Sequence, residues 1–351
     1  MSEAPLLEVS NLVQEFTLRD WGGGKAGTVH AVSDVSFTLV SGETLGLVGE
    51  TGSGKSTLAR AILQAPPPKS GSVRLGGVEL VGLKRQSLLE ARRNVQMVFQ
   101  DPFGSLDPKW RVRQLVAEPL VAFGVGSREE RRRRVDELLE LVGLDPKRYG
   151  DRRPRQLSGG QAQRVAIARA LALDPSLIIC DEPVSSLDVL IRAQVLNLLE
   201  RLRTELGLSY LFIAHDLALV KQVSDRVAVM YLGKLVEIGP AESLYREPLH
   251  PYTVALLASI PKPDPAAARA PVSDTIKGEL PSPLDPPSGC RFRTRCPRAQ
   301  DVCAAEEPPL RKLADGHFAA CHFPVSRDAP APAGREPARL AGGPDDPAAT
   351  N

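Results

Sequence analysis

The chain has 351 residues, enough for one large α/β core with additions. Its 44 Lys and Arg stand against 42 Asp and Glu, and a net charge of +2 gives no footing for nucleic-acid binding. No stretch approaches about 18 consecutive apolar residues, so no membrane span is predicted. The start Met1-Ser2-Glu3-Ala4 lacks the basic flank of a secretory signal, so a cytoplasmic protein is expected.

In chain order, a first apolar segment ends near Phe16. The run Thr44-Leu45-Gly46-Leu47-Val48 reads as a buried strand, and Gly49-Glu50-Thr51-Gly52-Ser53-Gly54-Lys55-Ser56 follows as a complete phosphate-binding loop. Glycines let the backbone wrap a polyphosphate, with the loop N–H groups pointing inward as an anion nest. The helix predicted from Ser56 to Leu63 adds the positive end of its dipole. Lys55 is expected on the β- and γ-phosphates, and the Ser56 hydroxyl on Mg²⁺. A further strand, Val95–Phe99, ends at Gln100.

A helical segment, about 101–160, is inserted next. Ser127 and Glu130 form a capping box, Val135, Leu138, Leu139 and Val142 recur at helical spacing, and Gly143 ends the run. The basic run Arg131–Arg134 reads as a solvated helix face. Leu157-Ser158-Gly159-Gly160-Gln161 precedes a helical run from Ala162 to Leu173, and reads either as a second anion site or as a capped helix start with Ser158 as N-cap. Leu177-Ile178-Ile179-Cys180 is an apolar strand ending in Asp181-Glu182, the pattern of a Mg²⁺-positioning aspartate followed by a general base. A helix with Val195, Leu198, Leu199 and Leu202 on one face stops near Gly207, and the strand Tyr210–Ala214 leads to His215. Residues 7–100 and 162–240 thus alternate strands with helices, which predicts an α/β fold with a mostly parallel sheet.

After Gly239 proline becomes frequent, and residues 326–351 read as a disordered tail. Of five cysteines, Cys180 reads as a small apolar filler of a buried strand. Cys290, Cys296, Cys303 and Cys321 cluster late, with five, six and seventeen residues between them. Disulfides are rare in cytosolic proteins, and thiolates in a stretch with little core suggest a metal staple. Soft ligands fit zinc or an iron–sulfur cluster, and the spacing matches none of the common motifs of either. His317 and His322 are possible replacement ligands, although the adjacent Cys321 and His322 cannot easily face one metal.

The six motifs, in this order, resemble those of the ATP-binding subunits of ABC transporters over about residues 7–325. The resemblance implies a P-loop NTPase core at 1–247, with the helical subdomain inserted, an extension at 248–325 and a tail at 326–351. It implies ATP and Mg²⁺ held by residues 49–57, including Thr57, with Asp181 and Gln100 at the metal and Phe16 stacking on adenine. Glu182 is implied as the base that polarises water, with Gln100 and His215 beside the γ-phosphate. Such domains pair head to tail, so Ser158, Gly159, Gly160, Gln161 and Asp188, in the turn Ser186-Leu187-Asp188, are implied to act across a dimer.

Val98–Phe103, Ser105–Pro108, Ala228–Gly233 and His250–Thr253 are similar to the dipeptide/oligopeptide importer branch, and the first block to the second of its two paired ATPases. Arg153, Arg155 and Gln156 stand where that branch usually has an aromatic/His/Glu run, and Ala162 where it has a basic residue. The resemblance implies a paralogous ATPase partner, two membrane permeases reached through residues 101–110 with Phe103 and Trp110 as anchors, and an extracytoplasmic solute-binding protein acting indirectly. The place of action would be the cytoplasmic face of the membrane. Other solutes of the branch, such as nickel chelates, oligosaccharides or glutathione, are alternatives, and a soluble non-transport ABC ATPase is a further one. Gly289–Pro297 and Ala320-Cys321-His322 resemble the cysteine motif of this branch, which implies a [4Fe–4S] cluster, with zinc as the alternative. Because these cysteines lie far along the chain from every phosphate motif, the cluster need not touch ATP chemistry.

Overall fold

The computed structural model describes residues 4–19, 25–260 and 278–325; the tail expected to be disordered and the first three residues lie outside this range. Among the described residues, twelve strands form two sheets. The larger runs from β6 (Val95–Val98) through β7 (Leu177–Asp181), β8 (Ser209–Ile213) and β3 (Thr44–Val48) to β9 (Arg226–Tyr231), and all of these pair in parallel. Three antiparallel strands continue it: β10 (Lys234–Pro240), β12 (His317–Ala319) and β11 (Arg311–Ala314). β3, β7 and β8 are buried at every residue, which is why they read as unbroken apolar runs rather than alternating ones. Gly46 sits inside β3 because a Cβ there would stand 2.4 Å from Val220 Cγ1 of the covering helix Leu217–Val223.

The second sheet differs from expectation in detail. β1 (Leu7–Arg19), β2 (Lys25–Leu39), β4 (Ser70–Leu75) and β5 (Val78–Glu79) form a separate antiparallel sheet in the order β2-β1-β4-β5. The first hundred residues therefore give only β3 and β6 to the parallel sheet. Periodicity cannot tell a strand's neighbour, and the long hairpin β1–β2 is what diverts this region.

Between β6 and β7 lies the helical insert, including helices Val112–Ala122, Arg128–Leu141 and Gly159–Ala170. The expected capping box is present: Ser127 N–H donates to Glu130 Oε2 at 2.7 Å and Glu130 N–H to Ser127 Oγ at 3.3 Å. Val135, Leu138, Leu139 and Val142 are buried, and Gly143 and Gly207 close their helices with φ of 76° and 65°.

The extension joins the cassette's own sheet. β12 pairs with β10, and the fully buried Glu237 of β10 gathers the extension around it. Its carboxylate accepts the N–H groups of Leu249 and His250, both at 2.8 Å, and meets His317 Nε2 at 2.8 Å. His250 Nδ1 in turn caps the helix Pro251–Ala258 by accepting Tyr252 N–H at 3.0 Å. Burial pulls the His250 pKa down to about 4, so its imidazole is neutral and free to accept.

Candidate functional site

The functional side chains gather at the carboxyl ends of four adjacent parallel strands, where open α/β sheets bind ligands. After Val48 the chain turns through the phosphate loop into the helix Lys55–Ile62. Gly54 has φ of 105°, and a Cβ there would stand 2.2 Å from the Ala31 carbonyl oxygen. A Cβ at Gly49 would stand 2.1 Å from the Met230 carbonyl oxygen, so β2 and β9 press the loop from both sides. The buried Lys55 ammonium donates to the carbonyl oxygens of Gly49 (2.7 Å) and Glu50 (2.9 Å) and to Ser53 Oγ (3.4 Å). Burial lowers its pKa, while Glu182, Asp181 and Glu50 pull it back up. Thr51 and Gly52 are exposed on the loop's crest, and Thr57 is half-buried in the first helical turn.

At the end of β7, Asp181 Oδ1 accepts the Ser56 hydroxyl at 2.9 Å, which joins the two expected Mg²⁺ residues. Burial raises the Asp181 carboxyl pKa, opposed by that hydrogen bond. Ser56, Asp181 and Gln100 supply oxygen donors, the set a hard cation takes. Glu182 follows with φ of 47°, a left-handed conformation rare for a non-glycine residue and concentrated at functional sites. Its N–H donates to the Ile213 carbonyl oxygen of β8 at 2.9 Å, which fixes the turn. Its carboxylate accepts Gln100 Nε2 at 2.9 Å and stands 3.3 Å from His215 Nδ1. Three residues read separately from the sequence thus meet as one group.

Ser158 caps the helix Gly159–Ala170, with its N–H donating to Gln161 Oε1 at 3.1 Å and Gln161 N–H to Ser158 Oγ at 3.4 Å. Gln161 Nε2 reaches the Tyr149 hydroxyl at 3.4 Å, so these bonds stay within the insert. Gly160 abuts the next motif: a Cβ there would meet Ile191 Cγ2 at 2.4 Å. Asp188 caps the helix Val189–Leu206 through Ile191 N–H at 3.0 Å. Beside it Val189 and Leu190 are each 77% exposed, an apolar pair that a pattern search misses because it reads as helix interior. Phe16 lies opposite Val29 on the β1–β2 hairpin and is 37% exposed, so it is no core residue.

Cys180 is fully buried in β7 as expected, and burial raises its thiol pKa. The four late cysteines share the extension, where Cys290 N–H donates to the Cys303 carbonyl oxygen at 2.8 Å. Burial raises the Cys290 thiol, pushes Cys296 up to about 11 and Cys321 up to about 12. Backbone N–H groups nonetheless point at these sulfurs: Phe292 and Arg293 at Cys290, Arg298 at Cys296 and Phe323 at Cys321. The two histidines are engaged elsewhere, His317 by Glu237 and His322 Nε2 by the Glu306 carbonyl oxygen at 3.0 Å. Among the described residues, no three His, Cys, Asp or Glu side chains stand as a group able to hold a metal ion.

The cysteine segment also reaches the ATP site. The four-cysteine segment does not stand apart from the phosphate loop: Arg295, next to Cys296, pairs with Glu50 at 3.0 Å. Local motifs carry no signal for a contact across 245 residues.

A phosphate loop served by an acidic pair two strands away, with a second glycine turn on a helical insert, defines an ATP-binding cassette ATPase. Family models agree: residues 32–185 match "ABC transporter" and residues 236–303 match "Oligopeptide/dipeptide transporter, C-terminal region". The putative oligopeptide transport ATP-binding protein YkfD of Bacillus subtilis is 51% identical over 92% of this chain and 97% of its own length. The oligopeptide transport ATP-binding protein AppF of the same organism is 47% identical over 92% and 98%. Among solved structures, a dimeric ATP-binding cassette in a post-hydrolysis state with ADP and Pi superposes with a TM-score of 0.60 at 30% identity, covering 67% of this chain and 98% of that one. The cbiO1 protein of Clostridium perfringens, part of an ABC transporter complex, gives 0.59 at 29% identity, covering 70% and 92%. The chain belongs to the ATP-binding subunits of ABC transporters, in the branch that carries the oligopeptide/dipeptide C-terminal region. Among the described residues no helix is long and apolar enough to cross a membrane.

Proposed function

We propose that this ATPase powers the import of dipeptides or oligopeptides, working under two permeases as a head-to-tail pair with a paralogous cassette at the cytoplasmic face of the membrane. The observation that carries this reading is the cassette and the oligopeptide-type extension together in one chain, with relatives named for peptide transport along its length. The expected partition is a cassette at 1–247 and an extension at 248–325. Reconstitution with two permeases of this importer branch should give ATP hydrolysis stimulated by peptide-loaded binding protein. Stimulation by a nickel chelate, an oligosaccharide or glutathione, and by no peptide, would replace the solute and leave the engine.

In this reading Lys55 and the loop N–H groups hold the polyphosphate, and the Ser56–Asp181 pair would hold Mg²⁺, which would supply charge neutralisation at the phosphate oxygens. Glu182 takes the proton of the attacking water. Gln100 and His215 orient its carboxylate from opposite sides, and His215 also faces the γ-phosphate. Ser158–Gln161 cover the γ-phosphate of the partner cassette, and Asp188 with the exposed Val189 and Leu190 lies on the same interface. Phe16 stacks on adenine from the hairpin edge.

Phe103 and Trp110, 43% and 39% exposed, form the permease-docking surface. Phe103→Asp should leave the ATPase activity of the isolated chain near the parent value and largely abolish assembly with the permeases, read by co-purification. Intact assembly and unimpaired transport would remove this surface.

The four cysteines hold a [4Fe–4S] cluster. Four sulfurs that repel as thiolates favour a cationic centre between them, and amides aimed at three of them stabilise the ionised form. Anaerobically purified protein should be brown and contain iron and acid-labile sulfide in about four-to-four ratio. Each of Cys290→Ser, Cys296→Ser, Cys303→Ser and Cys321→Ser should lose or weaken it, and Cys180→Ser should not. Stoichiometric zinc without sulfide would overturn the cluster and leave a metal staple.

A further inference from the structure

The phosphate loop is gripped from outside the cassette motifs. Glu50, its second residue, is held at two points by the extension. Arg295 Nη1 donates to Glu50 Oε1 at 3.1 Å and Oε2 at 3.0 Å, and Glu50 N–H donates to the Tyr252 hydroxyl at 2.9 Å. Arg295 has a side chain only 8% exposed, and its guanidinium lies 5.8 Å from the centre of the Tyr231 ring. Tyr231, Tyr252 and Phe292 pack edge-on and tilted at centroid distances of 4.7 to 5.3 Å, which leaves this end of the pair little room to swing. A second route runs beside the first. Arg291 donates to the Leu232 carbonyl oxygen and, at 2.8 Å, to Ser33 Oγ; the next residue, Gly233, donates its N–H to the Ser53 carbonyl oxygen at 2.8 Å. Both arginines belong to the turn that Cys290 and Cys296 bracket.

We infer that Arg295 is a positioning residue of the ATP site, and that the turn between Cys290 and Cys296 sets nucleotide affinity by clamping the phosphate loop through Glu50. Two physical effects act together. The loop binds polyphosphate only while its N–H groups converge, and Glu50 also presents one of the carbonyl oxygens on which Lys55 rests. Glu50 moreover places a carboxylate in a loop built for an anion, and Arg295 is the cation that compensates it. Removing Arg295 therefore loosens the loop and leaves a negative charge facing the ligand. An oxidised, demetallated or displaced cysteine turn would act on ATP by the same path.

The inference rests on nucleotide binding at residues 49–56 and does not require that the metal be iron–sulfur. The test is isothermal titration of the full chain with Mg-ADP, with iron content and thermal melting measured on the same samples. Arg295→Gln should weaken Mg-ADP binding about tenfold or more, each tenfold being about 1.4 kcal/mol. Arg295→Lys should recover a large part, by restoring charge without the bidentate fork. Glu50→Gln added to Arg295→Gln should also recover affinity, because the uncompensated carboxylate is gone. A merely structural defect would not respond to that second neutralisation. Cys296→Ser should weaken Mg-ADP binding in parallel with its loss of metal. The clamp is refuted if folded Arg295→Gln binds as the parent does, or if the added Glu50→Gln deepens the defect, or if Cys296→Ser loses metal with affinity unchanged. A failure of the cluster assignment would appear separately, in the metal analysis of the parent.

Discussion

Glu182→Gln should lower steady-state ATP turnover by about 10²–10⁴-fold, the range contributed by a positioned general base. The amide keeps the shape of the carboxylate and can still accept from Gln100, so the pocket should stay assembled, but it cannot take a proton. The Ser56–Asp181 bond at 2.9 Å and the seat of Lys55 do not involve Glu182, so ATP binding should remain close to that of the parent. Binding without hydrolysis should accumulate the closed pair of cassettes, visible by size-exclusion chromatography with Mg-ATP when the partner cassette is supplied. Turnover near the parent rate in an assembled complex would move the base to another residue, with His215 the next group in reach of the same water.

Gly54→Ala should abolish measurable nucleotide binding. The position combines φ of 105° with a Cβ that would meet the Ala31 carbonyl oxygen at 2.2 Å, so the side chain is excluded by both torsion and space. The neighbour is backbone of a paired strand and cannot swing aside as a side-chain tip could. The loop must rotate out, which turns its N–H groups away from the phosphates and displaces Lys55, the next residue. Equilibrium binding of a fluorescent ATP analogue checks this, and far-UV circular dichroism separates a deformed loop from an unfolded chain. The control is Gly76→Ala: φ there is 54° but no atom lies within 4 Å of the added Cβ, so it should cost stability without costing nucleotide binding.

The proposed catalytic centre was legible in the sequence as a set of motifs because each of its parts is local. A glycine loop, an acidic pair after an apolar run and a histidine after another each occupy consecutive residues, and parallel strands deliver their ends to one edge. The antiparallel β1–β2–β4–β5 sheet was not legible, since alternating burial marks a strand without naming its partner. Tyr252 shows the same limit from another side. Its block, His250–Thr253, could be read as a marker of the importer branch, yet nothing local says that its hydroxyl would accept from the phosphate loop 202 residues earlier. Asp188 could be read as an interface residue but equally serves as a helix cap, and both roles suit one exposed carboxylate.

Glu237 makes the cassette and its extension heirs to one another. The carboxylate belongs to a cassette strand, two of its partners to the first residues beyond that strand's helix, and the third to a hairpin some eighty residues on. Loss of that hairpin would take His317 from a fully buried acid, at about 1–3 kcal/mol for an unmet polar group. The join is therefore a shared charge: damage to the hairpin is felt inside the cassette sheet, and damage to the strand is felt in the extension.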